Sequence, residues 1–321
     1  MLIKWFGENE SYHILKMKRI HYRNIVRRSI LHNVPLAHFL SKHCLKTYLA
    51  IFYENWKGKR LNYCHPEDLN QAMLRLSYRN SRNPRMRELI PLCVDKYAVR
   101  EYIASKGYGG TLNECYGVFD NINDIDFDAL PNQFVMKMTN ASGRNWICKD
   151  KSEADWNKWK GVFANWLKDH DFGWQTGEWQ YALIKPRIVI EKYLSAFGEL
   201  SPIDYKFQCF HGEPKSCFVG YDRDPEDTHG KVCFDDYDMD WNLTDNILPW
   251  WHRKRRLLPK PKCWEQMVQM ARDLSKDFPY VRFDVYEIDG KILFGEMTFT
   301  PQGCVQEFYT KEYLQERKDW L

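Results

Sequence analysis

Between residues 281 and 301 the chain alternates apolar and polar side chains about one break, VRFDVYEIDGKILFGEMTFTP. A period of two predicts two strands, and Asp289-Gly290 predicts the tight turn between them. Apolar runs bounded by turn residues predict further strands at Phe134–Met138 and over 188–193, 205–210 and 216–221. The last two read as a hairpin around His211-Gly212-Glu213-Pro214. Helical spacing of Trp264, Met267, Met270, Ala271 and Leu274 predicts a helix over 263–277. Another begins at His65-Pro66-Glu67-Asp68, runs through Leu69, Met73, Leu74 and Leu76, and stops at the turn-prone NSRNP of 80–84. A short helix over 96–104 runs into Gly107, Gly109 and Gly110. Hairpin strands interspersed with helices predict α+β lobes, not one doubly wound parallel sheet.

Residues 1–60 are basic, with Lys16, Lys18, Arg19, Arg23, Arg27 and Arg28 ahead of an apolar, helix-like stretch that Pro35 must interrupt or start. The expected organisation is a basic helical region over 1–85 and an α+β domain over 86–321, with lobes near 86–195 and 196–321. The basic region reads first as a packed helical lobe with a solvated cationic face. Its alternative is peripheral contact with an anionic membrane face.

Composition narrows the class. With 44% apolar and 16% aromatic residues the chain is folded, not disordered. A net charge of +4 over 321 residues does not point to nucleic acid. No apolar run reaches the length of a membrane helix and no signal core is visible, so a cytoplasmic protein is expected. Ten cysteines without a C-x-x-C pair read as reduced thiols.

The candidate chemistry starts in the acidic hairpin. Asp284 sits on one predicted strand, Glu296 on the next, and Thr298 shares a face with Glu296. Two carboxylates at ~5 Å repel by roughly 3 kcal/mol at an effective dielectric near 20, so a cation should hold them. Mg²⁺ carrying a nucleotide suits such a pair. Lys137, inside an apolar strand, needs an anionic partner. The loop after it, TNASGRN, is small and polar around Gly143, which lets backbone N–H groups approach a phosphate. Glu191-Lys192-Tyr193-Leu194 ends an apolar strand and can offer main-chain groups to an adenine edge. Asp204 with Lys206, and Arg282 with Asp284, place a cation beside an acid at i, i+2.

Six segments carry a family resemblance: DKYAVREYI (95–103), LPNQFVMKMTNASGRNWICKDK (130–151), RIVIEKYL (187–194), DYKFQCFHGEPK (204–215), VGYDR (219–223) and VRFDVYEIDGKILFGEMTFTPQG (281–303). Together, in this order, they resemble the ATP-grasp superfamily, most closely its TupA-like branch, which is linked to teichuronopeptide and other cell-surface polysaccharide synthesis. The resemblance implies ATP bound between two α+β lobes, with Mg²⁺, and allows peripheral contact with polysaccharide machinery. It implies Lys96 and Lys137 on the phosphates, Ser142 and Gly143 in the closing loop, and Glu191, Lys192, Tyr193 and Leu194 along the adenine. Glu199 would reach the ribose. Lys206 and Arg282 would steady the transferred phosphoryl group, and Asp284 and Glu296 would ligate the metal. The superfamily usually has Asn where Thr298 stands, so Thr298 is the candidate third ligand.

The implied reaction activates a carboxylate as an acyl phosphate, which an amine then attacks to form an amide on a sugar acid or amino acid. A phosphotransferase on the same fold is one alternative. A nucleotide-sugar glycosyltransferase is another, since Asp222-Arg223-Asp224 and Asp238-Met239-Asp240 each offer a D-x-D triplet. A glycan-associated scaffold is a third, with Trp241, Trp250, Trp251 and the basic run Arg253 to Arg256 as its surface.

Overall fold

The computed structural model describes residues 30–31, 33–194, 202–222, 232–251 and 257–321. Glu199, Asp224, the run Arg253 to Arg256 and the basic residues 16–28 lie outside the described residues.

Among the described residues five helices come first: α1 (Val34–His43), α2 (Leu45–Lys57), α3 (Leu69–Asn80), α4 (Pro84–Val94) and α5 (Val99–Ser105). Their starts are written locally. The side chains of Asn33, Asp68 and Asn83 accept from the amides of Leu36, Gln71 and Met86, satisfying donors a helix leaves open. Pro35 and Pro84 fall in first turns, where no N–H is missed.

Four antiparallel strands make the first sheet: β1 (Cys115–Phe119), β2 (Phe134–Met138), β3 (Asn145–Cys148) and β4 (Ile188–Lys192), in the order β1-β4-β2-β3. Helix α6 (Trp156–Leu167) covers one face. Phe163 joins Phe134, Met136, Met138, Ile188 and Ile190 in a core, edged by Trp146, Trp156 and Trp159. The short helix α7 (Phe172–Thr176) follows.

The second sheet holds β5 (Asp204–Phe210), β6 (Glu213–Tyr221), β7 (Cys233–Tyr237), β8 (Tyr280–Ile288) and β9 (Lys291–Thr298), in the order β7-β6-β5-β8-β9, every pair antiparallel. Helix α8 (Trp264–Ser275) lays Trp264, Met267, Met270 and Leu274 on Phe207, Val219, Val281, Phe283 and Val285. The opposite face divides in two. Phe210, Phe218 and Tyr280 pack under α2, α3 and the C-terminal helix α9 (Lys311–Glu316). The rest of that face is polar and borders the cleft described below.

Two expectations shift in detail. The β5–β6 turn is His211-Gly212 alone, both at positive φ (50° and 82°), and Pro214 lies inside β6 opposite a bulge at Gln208/Cys209. A bulge is where a strand tolerates a residue without an N–H. The helix expected over 96–104 begins at Val99, because the Asp95 carboxylate accepts from the amides of Tyr97 and Ala98 and holds a turn there. All ten cysteines are free thiols.

Candidate active site

Strand register assembles the polar half of the second sheet. Lys206 pairs with Asp284 and Asp284 with Glu296, so three charged residues form one row across β5, β8 and β9. Gln208, Arg282 and Thr298 form the next row. A bulge at Asp284/Val285 makes Gly295 the extra residue of β9. Without it Phe294 and Glu296 would share a face. With it Phe294 pairs with Val285 on the core side and Glu296 with Asp284 on the other. A Cβ on Gly295 would lie 2.9 Å from the Asp284 carbonyl oxygen, so a glycine is required here for space.

Charge pairing is dense. Arg282 donates from Nε to Asp284 Oδ1 (2.7 Å) and from Nη2 to Asp284 Oδ2 (2.7 Å), Glu296 Oε1 (2.8 Å) and the Thr298 hydroxyl (3.1 Å). Thr298 donates in turn to Glu296 Oε1 at 3.0 Å. Lys206 Nζ reaches Asp284 Oδ2 at 2.6 Å and Asp204 Oδ2 at 2.5 Å. Burial would lower the Lys206 pKa, but the Asp204 and Asp284 carboxylates outweigh it and hold it raised. Burial also acts against ionised Glu296, yet Arg282, Lys206 and Lys96 bring its pKa down to about 2. Asp284 is 1% exposed at the side chain and Glu296 46%, so Glu296 is the carboxylate open to the cleft.

The first sheet supplies the facing wall. On β2, Lys137 Nζ donates to Glu191 Oε2 of β4 at 2.7 Å. Arg100 of α5 reaches the other Glu191 oxygen at 3.4 Å and the Asn113 carbonyl at 2.9 Å. The loop 139–144 is pinned at its base: Met138 N–H bonds the Arg144 carbonyl (2.9 Å), and Arg144 pairs with Asp169. Its tip, Ser142-Gly143, is exposed, with Gly143 at φ +71°, a conformation glycine adopts without strain. Lys192 spends its N–H on Glu114 and its carbonyl on Asn113. The main chain of Tyr193 and Leu194 has no hydrogen-bond partner among the described residues.

Lys96 lies between the walls. Its Nζ donates to the Ala141 carbonyl at 2.6 Å, and no carboxylate pairs with it among the described residues. Burial lowers its pKa, partly offset by Glu296 across the cleft, and Lys137 adds to the lowering. Asp95 fixes this corner by binding Arg187 at the start of β4 at 3.0 Å, and the Lys96 amide bonds the Thr139 carbonyl.

A cleft of about 380 Å³ joins these groups. Lys96, Lys137, Ser142, Gly143, Glu191, Lys192, Tyr193, Leu194, Lys206, Asp284 and Glu296 all line it. Arg282 and Thr298 do not; they sit behind the two carboxylates and orient them. Sequence reading missed Arg100 and Glu178. Glu178 accepts from Thr300 at 2.7 Å, and burial raises its pKa against the lowering effect of the Thr300 and Thr176 hydroxyls and Lys96. Both come from helical or loop segments, where an isolated charge resembles any surface residue.

Among the described residues no cluster of three or more His, Cys, Asp or Glu could hold a metal by itself. Asp284 and Glu296 are two hard oxygen donors in one row. That suits Mg²⁺, which binds through one or two carboxylates together with phosphate oxygens and water. The other metal-like motif behaves differently: Asp238 accepts from the amides of Asp240 and Asn242 and from the Asn242 side chain, and so closes its own turn. Trp241 stacks on Tyr237 (4.2 Å between centroids) and against Trp264, as part of the core margin.

The family model described as TupA-like ATPgrasp matches residues 73–318. The chain belongs to the TupA-like ATP-grasp family. Its architecture is therefore an α+β ATP-grasp fold with a helical segment ahead of it. No curated protein matches the chain. Similar solved structures include the D-alanine–D-alanine ligase of Bacillus anthracis (16% identity, 65% of this chain and 57% of that one, TM-score 0.40). The L-amino acid ligase of Bacillus licheniformis (15%, 66% and 44%, 0.39) and the D-alanine–D-alanine ligase of Helicobacter pylori (16%, 72% and 61%, 0.37) are two more. The chain spans less than two thirds of the length of each of these three ligases. Among the described residues no helix of the TupA-like protein is long and apolar enough to cross a membrane.

Proposed function

We propose that this protein is an ATP- and Mg²⁺-dependent carboxylate–amine ligase acting in cell-surface polysaccharide biosynthesis. The observation that carries the reading is Lys96: an ammonium on the cleft wall with only a carbonyl for company, set between Lys137 and the open carboxylate Glu296. Such a cation is stabilised when an anion enters. Lys96 and Lys137 hold the triphosphate, the Ser142-Gly143 tip closes over it, and the strand end Glu191 to Leu194 takes the adenine, with Tyr193 and Leu194 offering their unpaired main-chain groups. Glu199 remains the proposed ribose contact.

Asp284 and Glu296 would hold Mg²⁺, which supplies charge neutralisation on the phosphates, and Thr298 would orient Glu296 from behind instead of serving as the third ligand. The acid substrate's carboxylate oxygen attacks the γ-phosphorus and ADP leaves. The amine then attacks the acyl carbon, phosphate leaves, and the amine nitrogen gives up its proton. Lys206, on the cleft wall, stabilises negative charge at the transferred group, while Arg282, behind the carboxylates, holds both of them in place. No side-chain nucleophile is required. The acid is a sugar uronate or an amino acid, and the product an amide.

The test incubates the full chain with ATP, Mg²⁺ and panels of acids and amines, following ADP, phosphate and product mass. Release of ADP and phosphate with amide formation supports the ligase. ADP with phosphate retained on the product makes it a phosphotransferase. A nucleotide sugar that raises the melting temperature where ATP does not removes the ATP reading.

A further inference from the structure

A second cavity, about 260 Å³, opens where the α1–α2 junction, the turn between α3 and α4, and the segment after α7 meet. Its wall carries Lys42, Lys46, Arg82 and Arg87 and no carboxylate. Lys46 Nζ rests over the rings of Tyr63 and Tyr78, 5.1 and 5.8 Å from their centroids, in place of an ion pair. Arg87 gives one N–H to the Ser81 carbonyl at 3.0 Å. The four side chains are exposed and none has a salt-bridge partner among the described residues, so water screens their repulsion in the ligand-free protein and an arriving anion would lower it further. The C-terminal dipole of α1 accounts for Lys42. It does not account for Arg82 and Arg87, which arrive from another part of the chain.

Two further features point to the same ligand. Helix α2, 13 residues long, starts at this cavity with no side-chain cap, leaving the first amides without a partner inside the helix. Ser41, fully buried on the cavity wall, has a hydroxyl with no hydrogen-bond partner. Cations, open amides and a hydroxyl are the groups that bind a phosphoryl oxygen shell. Trp174 and Trp179 add an apolar wall. The cavity shares no lining residue with the nucleotide cleft.

We propose that this cavity is a second ligand site, for an organic phosphate whose phosphoryl group meets the four cations and whose body lies on the tryptophans. The proposal is independent of the nucleotide reading.

Calorimetry and tryptophan fluorescence on the full chain test it, with inorganic phosphate and glucose 1-phosphate as probes. The expected result is saturable binding of both, tighter for the sugar phosphate. Arg82→Gln with Lys42→Gln weakens it by about tenfold or more, the effect of losing charge-assisted contacts. Arg82→Lys with Lys42→Arg, which keeps the charge, restores most of the affinity and guards against a folding defect. Lys137→Ala, on the other cavity, leaves the binding that the Gln pair removes unchanged. Absence of binding to about 10 mM, affinity untouched by the Gln pair, or affinity abolished by Lys137→Ala overturns the proposal. Equal affinity for the two probes overturns the assignment of an organic body.

Discussion

Lys206 and Asp284 are cross-strand partners in β5 and β8 and make a 2.6 Å ion pair beneath the cleft. The pair is buried, and Arg282 and Asp204 complete it. Removing one member strands the others. Asp284→Asn is expected to destabilise the fold by about 3 kcal/mol, because two buried cations lose their shared anion. Urea denaturation of Asp284→Asn, Lys206→Met and the double variant measures the coupling. A double variant as unstable as the sum of the singles would refute the pairing as the source of the effect.

Lys96 predicts the opposite sign. It lacks a carboxylate, so Lys96→Met removes an uncompensated cation and should leave the ligand-free protein as stable or more stable. The same change should weaken binding of a non-hydrolysable ATP analogue by roughly 10- to 100-fold, the worth of one charge-assisted contact. Thermal unfolding without nucleotide and calorimetry with it give the two readings.

Gly295 is the space on which the acidic row depends. Gly295→Ala brings a methyl group to 2.9 Å from the Asp284 carbonyl oxygen, a backbone atom that cannot step aside. An overpacking cost of about 1–3 kcal/mol is expected, together with a higher Mg²⁺ requirement for nucleotide binding. Gly143→Ala, where nothing crowds the position, should cost about 1 kcal/mol for its φ alone.

Asp236 sets a pH dependence far from the cleft. Burial pushes its carboxyl up to about 6, against hydrogen bonds from Asn246 and Thr244 that favour the ionised form. A carboxyl with a raised folded pKa contributes stability that is complete below its unfolded pKa and is lost as pH rises through the folded one. The loss should fall between about pH 4 and pH 6 and reach roughly 3 kcal/mol. Denaturation midpoints across this window should slope downward in the wild type and be nearly flat in Asp236→Asn.

The strands of the acidic hairpin, the helix start at Asp68 and the break at 80–84 were legible because each is a local signal. Less legible were β3 and β7, whose four- and five-residue sequences mix polar or charged with apolar residues, and α6, whose spacing of Trp156, Trp159, Phe163 and Trp166 fits a helix but competes with loop-like flanks. Arg100 carried no signal, since its value lies in reaching Glu191, 91 residues away.

By itself the sequence determined which residue types alternate on which strand, where the chain turns, and that two acids and several lysines needed partners. Tertiary structure alone decided who those partners are. Register placed Lys206, Asp284 and Glu296 in one row, and a one-residue bulge at Gly295 turned Glu296 away from the core. Packing of the two sheets then left Lys96 facing Glu296 with no carboxylate of its own. The reason is physical: periodicity fixes a side chain's direction within its own strand, whereas register, bulges and sheet-to-sheet contact depend on atoms far away in the chain.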